Sequence, residues 1–483
     1  MRGHVRKGDR QGAGAPVTVV RGWAFAFPLR LLTLLSTVMA LLTVGGAASG
    51  ASAVTAGPRG AGAAVRQGGP PPRFTFAPYL QDVTTDGVIV AFATDVPSVA
   101  RVRVLPASVP VEIPAEAVDS SGVEVPVREE PVAEFLAIAA TQHRIRVHGL
   151  PAGSRYRYDV TVRRAAAPPD AETATLGGEL TTAPVGGPFT FLIYGDTRDR
   201  DGDHAGVVQA MVTEHPDFVL QTGDLVSRAS DEGQWRRYFA TAWPLLRNAP
   251  LYPSLGNHEL RGETSASHFQ RLFSLPRDRA RRNRPVYYAF RYSNALFIAL
   301  DGNSPYDFPQ AVWLEAQLKA ASADSAVRHV FVFIHQPPYA VGSYCGSQRI
   351  QQRLVPILQR YPVRAVFAGH EHAYQHLERG GIRYFVTGGG GAPLYPRRKS
   401  CNFEDDTALW MFRAEHHYLR VQVEGDIAVM TALDRRGNVM ERVALHEPPR
   451  EAPLMHQLVP TLVQTMGSAY PELKRAEAAI AET

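Results

Sequence analysis

The amino-acid sequence predicts an α/β domain built on buried strands, preceded by an all-β sandwich. Three observations carry this. Between residues 74 and 186, short runs alternate apolar and polar residues with period two, as in Gly87-Val88-Ile89-Val90-Ala91-Phe92 and Tyr156-Arg157-Tyr158-Asp159-Val160-Thr161-Val162. From residue 187 onward continuous apolar runs take over: Phe189–Tyr194, Phe218–Gln221, Leu296–Leu300, His329–Ile334, Ala365–Phe367 and Tyr384–Thr387. Such runs suit strands covered on both faces by helices. Each stops abruptly at a polar loop, as expected when a site gathers at one edge of a sheet.

The elements follow in order. In residues 1–53 a basic region ends at Arg30, an uncharged apolar run spans Leu31 to Val44, and small residues close on Ala51-Ser52-Ala53. This reads as an export signal cleaved after about Ala53, giving a secreted or periplasmic protein. The apolar run falls short of the ~20 residues that a membrane-spanning helix needs; the competing reading is an uncleaved anchor. The same stretch holds six of the 51 basic residues and one of the 46 acidic ones. Without it the chain has 45 of each, so its formal charge of +5 implies no nucleic-acid partner. Residues 54–73 are a Gly, Ala, Pro and Arg linker. The sandwich occupies 74–186 and the α/β domain 187–446, with a hairpin over His417 to Leu433 turning at Gly425-Asp426. In the tail, 447–483, Leu454, Leu458, Leu462 and Met466 mark one helical face, interrupted by Pro460. The two cysteines, Cys345 and Cys401, predict one disulfide in an oxidising compartment.

The loops after the apolar runs carry six signals in sequence. They are Gly195-Asp196-Thr197-Arg198, Gly223-Asp224-Leu225-Val226-Ser227-Arg228, Gly256-Asn257-His258-Glu259, His335-Gln336-Pro337-Pro338-Tyr339, Gly369-His370-Glu371-His372 and Gly388–Gly391. Singly each is an ordinary turn or a packed histidine. As a set they supply carboxylates, an amide and imidazoles, which suit Zn, Mn or Fe better than Ca or Mg. A His-x-His pair leaving a strand points its side chains differently, which favours two adjacent ions over one.

In this order the blocks resemble the calcineurin-like metallophosphoesterase superfamily. The turn Leu150-Pro151-Ala152-Gly153 before Tyr156 and Tyr158 is similar to the tyrosine corner of fibronectin type III domains. With that domain in front, residues 74–445 resemble the purple-acid-phosphatase-like branch. The resemblance implies a four-layer α/β/β/α sandwich holding two metal ions. Asp224 would bridge them, with Asp196 and His372 on one ion and Asn257, His335 and His370 on the other. His258 would face the phosphate and protonate the leaving oxygen, while a metal-bound hydroxide attacks phosphorus. Two positions depart from the family: Arg198 stands where a histidine ligand is common, and Ser227 where purple acid phosphatases use a tyrosine. One ion therefore loses a protein ligand, since arginine has no free lone pair. The resulting expectation is a colourless enzyme with one weakly held ion. Arg198 and Arg228 are expected to grip the phosphate, and His204 is a candidate replacement ligand.

The leading expectation is an exported phosphoesterase acting on small phosphate monoesters. The alternatives are a phosphodiesterase or nucleotide hydrolase with the same site, or a degenerate, non-catalytic binding protein.

Overall fold

Val88, Val90 and Phe92 share one face of a strand and are buried together with Val102, Val104, Val160 and Val162, as period-two patterning requires. The computed structural model describes residues 69–107, 130–276, 286–397, 401 and 403–445. The segments read from the sequence as an export signal, most of the linker and the helical face of the tail lie outside them. The first strands are β1 (Phe74–Thr84), β2 (Gly87–Pro106), β3 (Ala133–Val147), β4 (Arg155–Arg164) and β5 (Thr173–Thr181). They are joined in one hydrogen-bonded network, ordered β1-β2-β4-β5 with β3 also paired to β2. The reason is the length of β2. Its register on β3 shifts between Ala93 and Ser98, so its first half pairs with β1 and its second with β4. Tyr158 does not bond back to nearby backbone as a tyrosine corner would; its hydroxyl donates to the Arg247 carbonyl at 2.9 Å.

The chain then runs through β6 (Phe189–Tyr194), α1 (Asp201–Val212), β7 (Phe218–Gln221), α2 (Glu232–Leu246), β8 (Leu251–Pro253), α3 (Ser267–Leu272) and β9 (Tyr288–Tyr292). It continues through β10 (Ala295–Leu300), α4 (Phe308–Ala323), β11 (His329–Ile334), α5 (Gln348–Arg353), α6 (Val355–Leu358) and β12 (Ala365–Ala368). Last come β13 (Tyr374–Arg379), β14 (Ile382–Thr387), α7 (Phe403–Ala408), β15 (Leu409–Arg413), β16 (His417–Glu424), β17 (Ile427–Asp434) and β18 (Val439–Ala444). Helix α2 starts where it does because the Asp231 side chain accepts from the Gly233 and Gln234 amides.

Two mixed sheets result, one ordered β15-β13-β14-β12-β11-β10-β9 and one ordered β18-β17-β16-β6-β7-β8. The long apolar runs are their parallel members. The apolar runs alone suit helices on both faces of these strands, whereas the family resemblance implies a second sheet on one. The inner faces meet each other: Phe191 packs on Phe297 and Phe331 from the opposite sheet, centroids 5.0 and 5.3 Å apart. Helices cover only the outer faces. Val207, Met211, Trp235 and Phe239 pack on one sheet, and Trp313, Leu314, Leu318 and Leu358 on the other. Each such side chain contributes about 1.5–3 kcal/mol by leaving water.

The N-terminal sheet is fastened to this body by buried hydrogen bonds. Tyr79 Oη donates to the Leu272 carbonyl at 2.8 Å, the Val83 amide donates to Tyr252 Oη at 2.9 Å, and Trp243 Nε1 donates to the Pro78 carbonyl at 3.0 Å. Among the described residues no helix is long and apolar enough to cross a membrane.

Candidate metal centre

Parallel strands end at one edge of their sheet, and here the edges of both sheets meet. Asp196 follows β6, Asp224 follows β7, Asn257 follows β8, His335 follows β11, and His370 and His372 follow β12. At three of these positions the backbone is left-handed: φ is +57° at Asp196, +58° at Asp224 and +70° at His370. Each such residue costs on the order of 1–3 kcal/mol and persists where a site requires the turn. Gly223 has φ +95°, and a Cβ there would lie 2.7 Å from His335 Nδ1 and 2.8 Å from the Gly256 nitrogen. Only glycine lets these loops close. They are stitched across the sheets by the His370 amide on Asp196 Oδ2, and within one sheet by the Gly369 amide on the His335 carbonyl, both at 2.9 Å.

The donor atoms converge. His335 Nε2 lies 3.0 Å from Asn257 Oδ1, 3.2 Å from His370 Nδ1 and 3.3 Å from Asp224 Oδ1. The other nitrogen, Nδ1, sits 2.8 Å from the Thr222 carbonyl. A neutral ring donating there presents a bare lone pair at Nε2. Likewise His372 Nδ1 is 2.7 Å from the Pro393 carbonyl, which turns the lone pair of Nε2 toward Asp196 Oδ1, 3.3 Å away. Asp196 Oδ1 is buried with no hydrogen-bond partner. This convergence of carboxylate, amide and imidazole atoms suits a shared cation. Four ligands on a tetrahedral ion at ~2.0–2.1 Å stand ~3.3–3.4 Å apart, so the set fits a metal. Asp196, Asp224 and His335 have ligand atoms all within 4.8 Å of one another. Burial opposes ionisation of Asp196, yet the neighbouring His372, His335 and His370 hold its carboxyl below the usual range.

Around this core the other predicted residues divide. His258 Nδ1 meets the Ser227 carbonyl at 2.8 Å, and Nε2 lies 3.6 Å from Asp224 Oδ2. Burial lowers its pKa, against the pull of Asp224. Arg198 does not stand free for a substrate. Its Nε is 3.4 Å from Asp224 Oδ2, its Nη2 is 3.4 Å from His372 Nε2, and its Nη1 bonds Asp199. Ser227 also bonds Asp199. Arg228 is exposed. His204 does not reach the ligands: its ring stacks with Tyr238 and Tyr194, centroids 5.5 and 5.9 Å away. Burial drives its pKa down to about 3. It lines a cavity of about 220 Å³ beside Arg198, Asp199, Asp201, Ser227 and Gln234.

Sequence reasoning missed four contributors. Glu259 accepts the amides of Asp224, Leu225 and Gly256 at 2.8, 2.8 and 2.9 Å. Glu371 accepts those of Ser343 and Tyr344. Both lie inside quoted motifs, which was the available signal. Tyr395 stacks on His372 with centroids 4.0 Å apart, and Tyr344 lies against His370 at 4.8 Å; nothing in the sequence marks either. The predicted disulfide joins Cys345 to Cys401 with a Cα separation of 5.5 Å, directly behind Tyr344.

Residues 189–374 match the calcineurin-like phosphoesterase family. The chain is 28% identical to tartrate-resistant acid phosphatase type 5 of Mus musculus over 44% of its own length and 69% of that protein. It is 28% identical to purple acid phosphatase 23 of Arabidopsis thaliana over 34% of its length and 37% of that protein. With the Sus scrofa tartrate-resistant acid phosphatase type 5 it shares 29%, spanning 38% of this chain and 61% of that one. Several of these relatives are thus matched over less than two thirds of their length. The fold is similar to purple acid phosphatase PPD1 from yellow lupin, with TM-score 0.61 at 16% identity over 76% of this chain and 74% of that one. It is also similar to PhoD, with TM-score 0.53 at 14% identity over 76% and 92%. The homologues support a metal-dependent phosphoester hydrolase.

Proposed function

We propose that this chain, through its calcineurin-like phosphoesterase domain, is an exported dinuclear-metal phosphoesterase acting on small phosphate monoesters. One observation carries the reading: Asn257 Oδ1, His370 Nδ1 and Asp224 Oδ1 converge within 3.0–3.3 Å of His335 Nε2, a cluster of metal-ligating atom types at one point. The acid phosphatases among the relatives favour monoesters, and the leader sequence favours export. In this reading Asp224 would serve both ions. Asn257, His335 and His370 would hold one, and Asp196 and His372 would hold the other; Zn, Mn and Fe are the candidates. The domain limits 74–186 and 187–446, a fibronectin type III-like first domain and a four-layer α/β/β/α second one belong to the same reading.

When bound, the ions would supply positive charge for the transferring phosphoryl group and lower the pKa of a water. The chain provides the rest. The Thr222 and Pro393 carbonyls fix His335 and His372 so that Nε2 faces inward. His258, fixed at Nδ1 by Ser227, is the group able to hold a proton at Nε2 for the leaving oxygen. Arg228, exposed beside Ser227, is available to the phosphate.

The test is turnover of phosphomonoester and phosphodiester panels by metal-free protein, with Zn, Mn or Fe added back separately. Monoester hydrolysis should depend on added metal, and Asp224→Ala should lose it almost wholly. An Asp224→Ala enzyme within about threefold of the parent, only ~0.7 kcal/mol of barrier, would overturn the assignment.

A further inference from the structure

The two groups of ligands differ in their surroundings. No cationic side chain contacts Asn257 or His370 among the described hydrogen bonds and ion pairs. At the other group, the Arg198 guanidinium lies over Asp224 Oδ2 and His372 Nε2, 3.4 Å from each. Those are two of the three atoms on which the Asp196/His372 ion depends. The Arg198 side chain is only 14% exposed and is anchored on its far side by Asp199. A guanidinium has no lone pair to give an ion and stays charged at any working pH. It therefore blocks a coordination direction and repels whatever cation arrives there.

Resting on the dinuclear reading, we infer that Arg198 is a resident cation that competes with one of the two metal ions. The group formed by Asp224, Asn257, His335 and His370 takes its ion freely. The group formed by Asp196, Asp224 and His372 takes a second ion only in exchange for Arg198. The adjoining cavity of about 220 Å³ offers the displaced guanidinium a destination, since Asp199, Asp201, Ser227 and Gln234 line it. A ligand merely missing would leave the second ion weakly held whatever stands at 198. A competing cation makes a different claim: removing the side chain strengthens the second ion although no ligand is added.

Metal-free parent, Arg198→Ala, Arg198→Lys and Arg198→His would be titrated with Zn(II) by calorimetry, and zinc counted after gel filtration. The parent should retain one equivalent and bind the second weakly. Arg198→Ala should tighten the second by ~10-fold or more, Arg198→Lys should stay close to the parent, and Arg198→His should retain both. Unaltered thermal melting of the variants excludes misfolding as the cause. Two equivalents retained by the parent, or a second affinity in Arg198→Ala within ~threefold of the parent, would overturn the inference and leave the phosphoesterase reading intact. Zinc bound by neither parent nor any variant would overturn both.

Discussion

Glu259 shows how much of the centre is built by a side chain that ligates nothing. It is fully buried, and burial with the adjacent Asp224 charge pushes its carboxyl up to about 7, while the amides it accepts pull the other way. Its two oxygens hold the turns after β7 and β8 in one geometry. Glu259→Gln swaps one oxygen for an NH₂ that must face a backbone N–H. The buried mismatch should lower stability by about 1–3 kcal/mol, read from urea denaturation, and reduce metal affinity along with it. A variant as stable as the parent would mean that the turns are held by something else. The candidate ligands were legible in the sequence because each is a polar residue following a buried run, and the structure brings Asp196, Asp224, Asn257, His335, His370 and His372 to one edge. The orienting groups were not. Thr222 and Pro393 act through carbonyls, which carry no residue-type signal, and Tyr395 arrives from a loop whose path depends on the whole fold. Arg198 was legible as a departure but its placement was not, since the sequence says nothing about which carboxylate it meets.

Among elements, strands that are buried on both faces were the easiest to read. Phe189–Tyr194, Phe218–Gln221 and His329–Ile334 are strands over those same residues, and the hairpin over His417 to Leu433 pairs about Gly425. Edge strands were missed. β15 and β18 are half-buried along most of their length, so neither period two nor a continuous apolar run marks them. β13 was hidden for another reason: its buried positions are Tyr374, Gln375, His376 and Leu377, and His376 and Tyr374 are satisfied by Glu441 from β18. The apolar runs by themselves cannot tell a helix from a second sheet as the cover of a strand; two sheets with helices outside them were implied by the family resemblance alone. The disulfide belongs to this scale too. It ties the segment after β11 to the start of α7 across 56 residues. Cys345→Ser with Cys401→Ser should cost about 4 kcal/mol in the chain-entropy account, seen as a lower denaturation midpoint. Alkylation without reductant should label neither cysteine of the parent; two labelled thiols in fresh protein would contradict the pairing.

For the whole molecule, buried histidines set the response to acid. Burial lowers His204 to about 3 and His417 to about 4, whereas unfolded histidine titrates near 6.5. Below ~6.5 the unfolded chain takes up protons that the folded chain refuses, so stability is full above that pH and falls beneath it. Burial also opposes charge at His376, but Glu378 and Glu441 outweigh it and raise its pKa. Its contribution is complete below ~6.5 and is lost as pH rises through the raised value, so it offsets a part of the acid effect. The melting temperature of metal-free protein should drop between pH 7 and 5, with His204 alone accounting for about 2 kcal/mol. His204→Phe should flatten that slope; a parent whose melting point is level over this range would contradict the account. The N-terminal sheet matters at this scale as well. Tyr79 and Phe76 pack on Phe239 with centroids 4.4 and 5.3 Å away, and Tyr79, Tyr158 and Trp243 each close a hydrogen bond across the join. Cutting the gene near codon 187 would sever all of these at once, so that position is a poor crossover point for recombination or fusion. Lineages that inherit the phosphoesterase part should therefore inherit the first sheet with it, and the two should diverge in step.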